Sequence, residues 1–250
     1  MLVTMFYLLP IMSISEYLDA VELHFKNQSG AVGISCHQGA SILPHCFITI
    51  SRQAGAGAIS VGNKVTEFLN NDKKVDWPYP WTVFDKNLVY TVLDEHHLPE
   101  KFEKYMHEDK VSQISDVLDE LLGLHPSSLA LVHKTSETIL HLARVGNVVI
   151  VGRGASIITR KLKGGFHVRL VGSLKKRAQR VMEYSNVNMK QAEELIAKWD
   201  KGRKKYIKEY LRKNDEDPLL YDLIINTDYI SYGNAARIIL LSMLCSRGIA

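Results

Sequence analysis

FITISRQAGAGAISVG, residues 47–62, decides how this chain is read. Phe47 to Ser51 is a short run rich in β-branched side chains, the composition of a buried strand. Small residues follow through the loop Arg52, Gln53, Ala54, Gly55, Ala56, Gly57, Ala58, Ile59 and Ser60. Val61, Val65, Phe68 and Leu69 then recur at the intervals of one helix face. Strand, glycine turn and helix in that order form a cradle for an anion. Small residues let the backbone curl closely, successive N–H groups point inward, and the helix start adds its positive end. A plain tight turn between strand and helix is the alternative reading.

The loop is close to the phosphate-binding pattern GxxxxGK[ST], with Ala58 at the lysine position and Ser60, two places on, as the hydroxyl in the Ser/Thr role. Two roles are open to Ser60: a hydroxyl ligand for Mg²⁺, or a residue of the first helical turn. Arg52 is placed to supply the positive charge that a lysine at Ala58 would bring.

Downstream, Asn147–Val151 and Phe166–Val171 are apolar strands, each ended by glycine, and Asp222–Asn226 is another. Val83-Phe84-Asp85 reads as a short extended piece. Helices are expected at 98–124, 129–143, 189–199, about 201–213 and 234–245, together with one after the second strand marked by Leu174, Ala178 and Val181. Buried strands alternating with helices call for a parallel sheet covered on both faces, a three-layer α/β/α architecture. Trp77, Tyr79 and Trp81 read as packing residues or as pocket lining.

Cations supply the next signal. Arg153 follows a buried strand, at the sheet end where open α/β folds bind ligands, and its guanidinium suits bidentate contact with phosphate. Arg177 and Arg180 stand three apart on a helix, on neighbouring turns from which both can face phosphates, or are soluble surface. Residues 198–213 hold Lys198, Lys201, Arg203, Lys204, Lys205, Lys208, Arg212 and Lys213 against only Asp200 and Glu209. That run is either a lid that closes over phosphates and excludes water, or a solvated basic helix. Asp85 either contacts an acceptor together with Lys86 or caps a helix starting there.

The whole-chain figures set bounds. In 250 residues, 46% hydrophobic and 23% charged, the chain has the balance of an ordinary globular protein. A net charge of +4 suits anionic small molecules without requiring nucleic acid, and no reading motif accompanies the cations. Cys36, Cys46 and Cys245 form neither a CxxC pair nor a disulfide framework, and the histidines lack ligand spacing, so a reducing cytoplasm is expected and a transition-metal site is not. The apolar start MLVTMFYLLPIMSI is broken by Pro10 and gives way to Glu16 and Asp19 short of spanning length. It reads as a core-covering segment, an upstream start or a weak targeting signal, and no membrane span is expected. Oligomeric state is not legible.

ITISRQAGAGAISVG, FDKNLV, NVVIVGRGASII, FHVRLVGSLKKRAQRV and DPLLYDLIINTDYIS, in that order, resemble the bacterial cytidylate kinase-like family, related to cytidylate kinase among the P-loop nucleoside-monophosphate kinases. The resemblance implies a P-loop kinase domain at 47–250, with an acceptor-binding region near 77–145 and a lid near 198–213. It leaves the extension at 1–46 unexplained, where Leu18, Val21, Leu23 and Phe25 read as a short amphipathic helix that makes the extension partly helical. It implies ATP and Mg²⁺ as cofactors and a small-molecule phosphate acceptor, CMP or dCMP first. Gly55, Gly57 and Ser60 correspond to phosphate-loop positions, Arg153 to the arginine of a GRD motif whose acid is here Gly154, and Arg203 to a lid arginine. Arg177 and Arg180 correspond to the arginines after the next strand. Alternatives are a nucleotide-binding regulatory protein, to which Ala58 and Ile59 point, and a kinase of a non-nucleotide small molecule.

Overall fold

The computed structural model describes residues 46–72, 77, 80–85 and 128–246. The extension at 1–45, Tyr79, Lys86 and the helix expected at 98–124 lie outside the described residues.

The elements run β1 (Phe47–Arg52), α1 (Ala58–Asn71), β2 (Thr82–Phe84), α2 (Ser128–Val145), β3 (Val148–Val151), α3 (Ala155–Ile158), β4 (Gly165–Val171), α4 (Leu174–Ser185), α5 (Met189–Leu211), a 3-10 turn at Pro218–Leu220, β5 (Leu223–Asn226) and α6 (Tyr232–Ser246). Among the described residues five strands form one sheet in the order β2-β3-β1-β4-β5, and every pairing is parallel. Because β1 is central, with Ile50 opposite both Val151 and Val168, the loop after it emerges between its neighbours' carboxyl ends. That is where open parallel sheets hold ligands.

Strand alternation divides the core. Ile48, Ile50, Val149, Val151, Val168 and Leu170 pack against Val61, Val65 and Leu69 of α1 and Ala235, Ala236, Ile239 and Met243 of α6. Ile239 is fully buried there, and truncating it to alanine costs about 2–5 kcal/mol in lost transfer energy and cavity. Trp81 joins this layer, edge-on to Trp77 at 5.2 Å, with Asn70 bonding both its backbone N–H and carbonyl. The packing reading thus holds for these two tryptophans.

The opposite face carries Thr49 and His167, whose Oγ1 and Nδ1 lie 2.8 Å apart. Burial pushes His167 down to about 4, against the raising effect of Asp222, whose carboxylate accepts the His167 backbone N–H at 2.8 Å. Helices α2 and α3 cover this side near β3 and β1, completing the three layers.

One expectation is corrected. The two helices read at 189–199 and 201–213 are a single α5 of 23 residues, opened by a capping box between Asn188 and Gln191. Gly202 interrupts the pattern without breaking the helix because it is buried by packing, and Asp200 and Arg203 bridge across it as an i,i+3 pair. The chain leaves α5 at Arg212, which takes the left-handed conformation with φ 52°. Among the described residues no helix is long and apolar enough to cross a membrane.

Candidate functional site

The loop after β1 is anchored at its first residue. The Gln53 N–H donates to the Leu170 carbonyl at 3.0 Å, while its side-chain Oε1 accepts the Gly172 N–H at 3.0 Å. Both bonds tie the loop to β4. The chain then turns through Gly55 and Gly57, at φ 76° and 83°. A Cβ on Gly55 would lie 2.6 Å from the Arg177 carbonyl oxygen, and one on Gly57 2.3 Å from the Tyr232 ring. Conformation and space therefore both demand glycine at these positions. Gly57 begins α1 with no side-chain cap and no acidic residue in the first turn. The positive end of this 14-residue helix is thus uncompensated by its own side chains.

The loop carbonyls are held from outside. Arg177 Nη1 donates to the Ala54 oxygen at 3.0 Å and Nε to the Gly172 oxygen at 2.9 Å. Arg180 Nη1 donates to the Gly55 oxygen at 3.2 Å and to Thr227 Oγ1 at 2.9 Å, and its Nη2 to the Thr227 carbonyl. Its guanidinium also lies 5.4 Å from the Tyr232 ring centre. The carbonyls of Ala54 and Gly55 are thus turned toward α4. The structure places Arg177 and Arg180 behind the loop, as its supports.

Asp200 completes the clamp. Its Oδ1 accepts the Ala54 N–H at 2.8 Å and Arg203 Nη1 at 2.7 Å, while Oδ2 accepts Arg177 Nη1 at 2.8 Å. Sequence reasoning missed this residue, and its one signal was that it is one of only two acids in a basic run. Of that run, Arg203 turns to the loop, with Nη1 3.5 Å from the Arg52 carbonyl. Lys198, Lys201, Lys204, Lys205 and Lys208 are exposed, and Lys204 pairs with Glu216 at 2.8 Å. The lysines therefore do not converge on the loop. Tyr206 and Ile207 of the same helix are buried with Val132 of α2 and Ile157 of α3.

Beside the loop a pocket opens between the ends of β1 and β3, lined by Ser51, Arg52, Gly152, Arg153, Arg203 and Asp215. Gly152, Arg153 and Gly154 all have positive φ, at 86°, 55° and 68°. Left-handed backbone strains an arginine, so the fold holds Arg153 here against a local cost. Its side chain is buried even so. The Arg52 guanidinium lies against Gly152, where a Cβ would displace its Nη1. Arg52, Arg153 and Arg203, far apart in sequence, are thus brought to one pocket. Asp85 is buried at the end of β2, while Ser60 and Ile59 are exposed on the first turn of α1 and Ala58 is buried beside them.

Residues 47–229 match the model of the cytidylate kinase-like family. A solved structure titled as an uncharacterized protein from Eubacterium ventriosum ATCC 27560 is 22% identical, with TM-score 0.56 over 79% of this chain and 98% of that one. A shikimate kinase from Acinetobacter baumannii is 16% identical, with TM-score 0.46 over 82% and 96%. A gluconokinase from Sinorhizobium meliloti 1021 is 12% identical, with TM-score 0.47 over 81% and 93%. At 22% identity the likeness to the Eubacterium ventriosum structure speaks to the fold alone. No functionally curated protein matches the chain.

Proposed function

Because the chain belongs to the cytidylate kinase-like family, we propose that it is a phosphotransferase moving the terminal phosphoryl group of ATP to a nucleoside monophosphate, with CMP and dCMP the first candidates. The observation that carries this reading is the loop from Gln53 to Gly57, its carbonyls gripped by Arg177 and Arg180, set against a pocket lined by Arg52, Arg153 and Arg203. One side suits a polyphosphate and the other an anionic acceptor.

In this arrangement an acceptor phosphate oxygen forms the new bond to the transferred phosphorus as the bond to ADP breaks. Charge spreads over the moving group, and three guanidinium groups answer it without any proton transfer from the protein. Holding both anions in line supplies much of the rate, so a strong general base is not needed.

The residues present fit the nucleotide and its metal. Gly55 and Gly57 supply the left-handed turns that lead into α1, whose uncapped start suits phosphate. Ser60, exposed on that turn, offers one oxygen, and Mg²⁺ commonly takes its remaining ligands from phosphates and water. When bound, the ion supplies further neutralisation of phosphate charge. Among the described residues no cluster of acids, histidines or cysteines is arranged to hold a metal unaided.

The test is an acceptor screen: ATP, Mg²⁺ and each monophosphate in turn, reading ADP and the phosphorylated product. ADP release that is equal with and without every acceptor would sink the proposal. A second reading, a nucleotide-binding regulator with little turnover, draws on Ala58 at the lysine position and on Asp200 holding the Ala54 N–H. Tight ATP binding by calorimetry with no acceptor phosphorylated would favour it.

A further inference from the structure

The acceptor pocket contains a carboxylate that the reading above does not use. Asp215 lies between α5 and the 3-10 turn and is 8% exposed. It is held at two points. Its Oδ2 accepts from Arg169 Nη1 at 3.2 Å, and its backbone carbonyl accepts from the Tyr221 hydroxyl at 2.7 Å. Arg169 is itself buried, reaches Ser51 Oγ at 3.2 Å, and lies 5.4 Å from the Tyr221 ring centre. The other carboxylate oxygen, Oδ1, is buried with no hydrogen-bond partner among the described residues.

Leaving a buried carboxylate oxygen unpartnered is costly, and most such groups in folded proteins find a donor. Here the carboxylate is locked by Arg169, so Oδ1 is a fixed, unsatisfied acceptor on a residue that lines a pocket shared with Arg52, Arg153 and Arg203. A cation is disfavoured there by three arginines, and an aprotic anion is repelled by the carboxylate. A ligand answering both must carry an anionic group for the arginines and a nearby O–H or N–H for Asp215.

We propose that Asp215 is a specificity-determining residue of the acceptor pocket, accepting a hydrogen bond from a hydroxyl or amino group that the phosphate acceptor carries beside its anionic group. The inference rests on the reading of this pocket as the acceptor site. A site built to take such a donor rejects analogues lacking it, because its own polar atom is then left unpaired.

Asp215→Asn tests this. Arg169 retains the amide carbonyl, which turns the new NH₂ group to the position of Oδ1 and exchanges an acceptor for a donor. The full-length chain, loaded with a non-hydrolysable ATP analogue, is titrated calorimetrically with CMP, with ribose 5-phosphate and with sulfate, which has no proton to give. The expected result is a CMP affinity at least tenfold weaker in Asp215→Asn, with sulfate affinity unchanged or tighter. Parallel weakening of CMP and sulfate, or an unchanged CMP affinity, would overturn the role of Asp215 while leaving the kinase reading in place. Binding of neither CMP nor ribose 5-phosphate to the unsubstituted chain overturns the inference together with the pocket assignment. Should Asp215→Asn fail to fold, the unsubstituted chain carries the test: ribose 5-phosphate is expected to bind at least tenfold more tightly than methyl phosphate, which brings the anion without the hydroxyls, and equal affinities would overturn the inference.

Discussion

Ala54 and Asp200, 146 positions apart, are joined by a 2.8 Å hydrogen bond in which the loop N–H donates to the carboxylate of α5. The same carboxylate receives Arg177 and Arg203, so one acidic side chain holds together the phosphate loop, α4 and α5.

Removing it as Asp200→Ala leaves two guanidinium groups without this partner. The expected loss is about 1–3 kcal/mol, because the carboxylate is only partly buried and water replaces some of what it gave. Thermal unfolding of the variant measures this, and faster amide exchange at Ala54 identifies the loop as the part released. An unchanged exchange rate at Ala54 would count against the clamp.

Gly57→Ala is expected to weaken ATP binding at least tenfold. The added methyl group meets the Tyr232 ring, and the left-handed backbone it requires costs an alanine about 1–2 kcal/mol. Pairing it with Tyr232→Ala relieves the collision but not the backbone strain, so calorimetry should show only partial recovery. Full recovery would mean that the conformation at this residue does not matter.

Arg153 separates function from stability. Arg153→Ala and Arg153→Gly both remove the guanidinium, and each is expected to lower acceptor turnover at least a hundredfold while ATP binding persists. Only the alanine keeps the strain of φ 55°, so the glycine variant should be the more stable by about 1 kcal/mol in denaturant melts. Equal stability would indicate that the backbone there carries no strain.

His167 links stability to pH. Above its ordinary value of 6.5 both folded and unfolded chains hold it neutral. As pH falls below 6.5 the unfolded chain takes up a proton that the buried ring refuses until about pH 4. Stability should therefore decline on acidification through that window, by about 1.4 kcal/mol per unit from this residue alone. Denaturant melts at pH 7 and pH 5 should show a smaller difference in His167→Gln than in the unsubstituted protein.

Much of the frame was legible because it is written in local pattern. The apolar runs at 47–51, 148–151 and 166–171 announce strands buried on both faces, and the glycine loop announces the turn to α1. What could not be read is what depends on partners distant in sequence. Asp200 looked like a solvated acid until α5 brought it against Ala54, and Asp215 carries no local sign that Arg169 and Tyr221 bury it. The two helices read at 189–199 and about 201–213 are one, because the packing that buries Gly202 inside it is tertiary. Arg177 and Arg180 were read as facing phosphate, since spacing says which residues share a side of a helix but not that loop carbonyls await them there.

The unbroken length of α5 has a mechanical consequence. Near its middle Asp200 and Arg203 hold the cradle, and one turn further on Ile207 lines the arginine pocket. A stiff rod gripped at successive turns transmits displacement, so a guest that tilts it at one pocket alters the other. By reciprocity, whatever the first guest does to the second guest's affinity, the second does equally to the first.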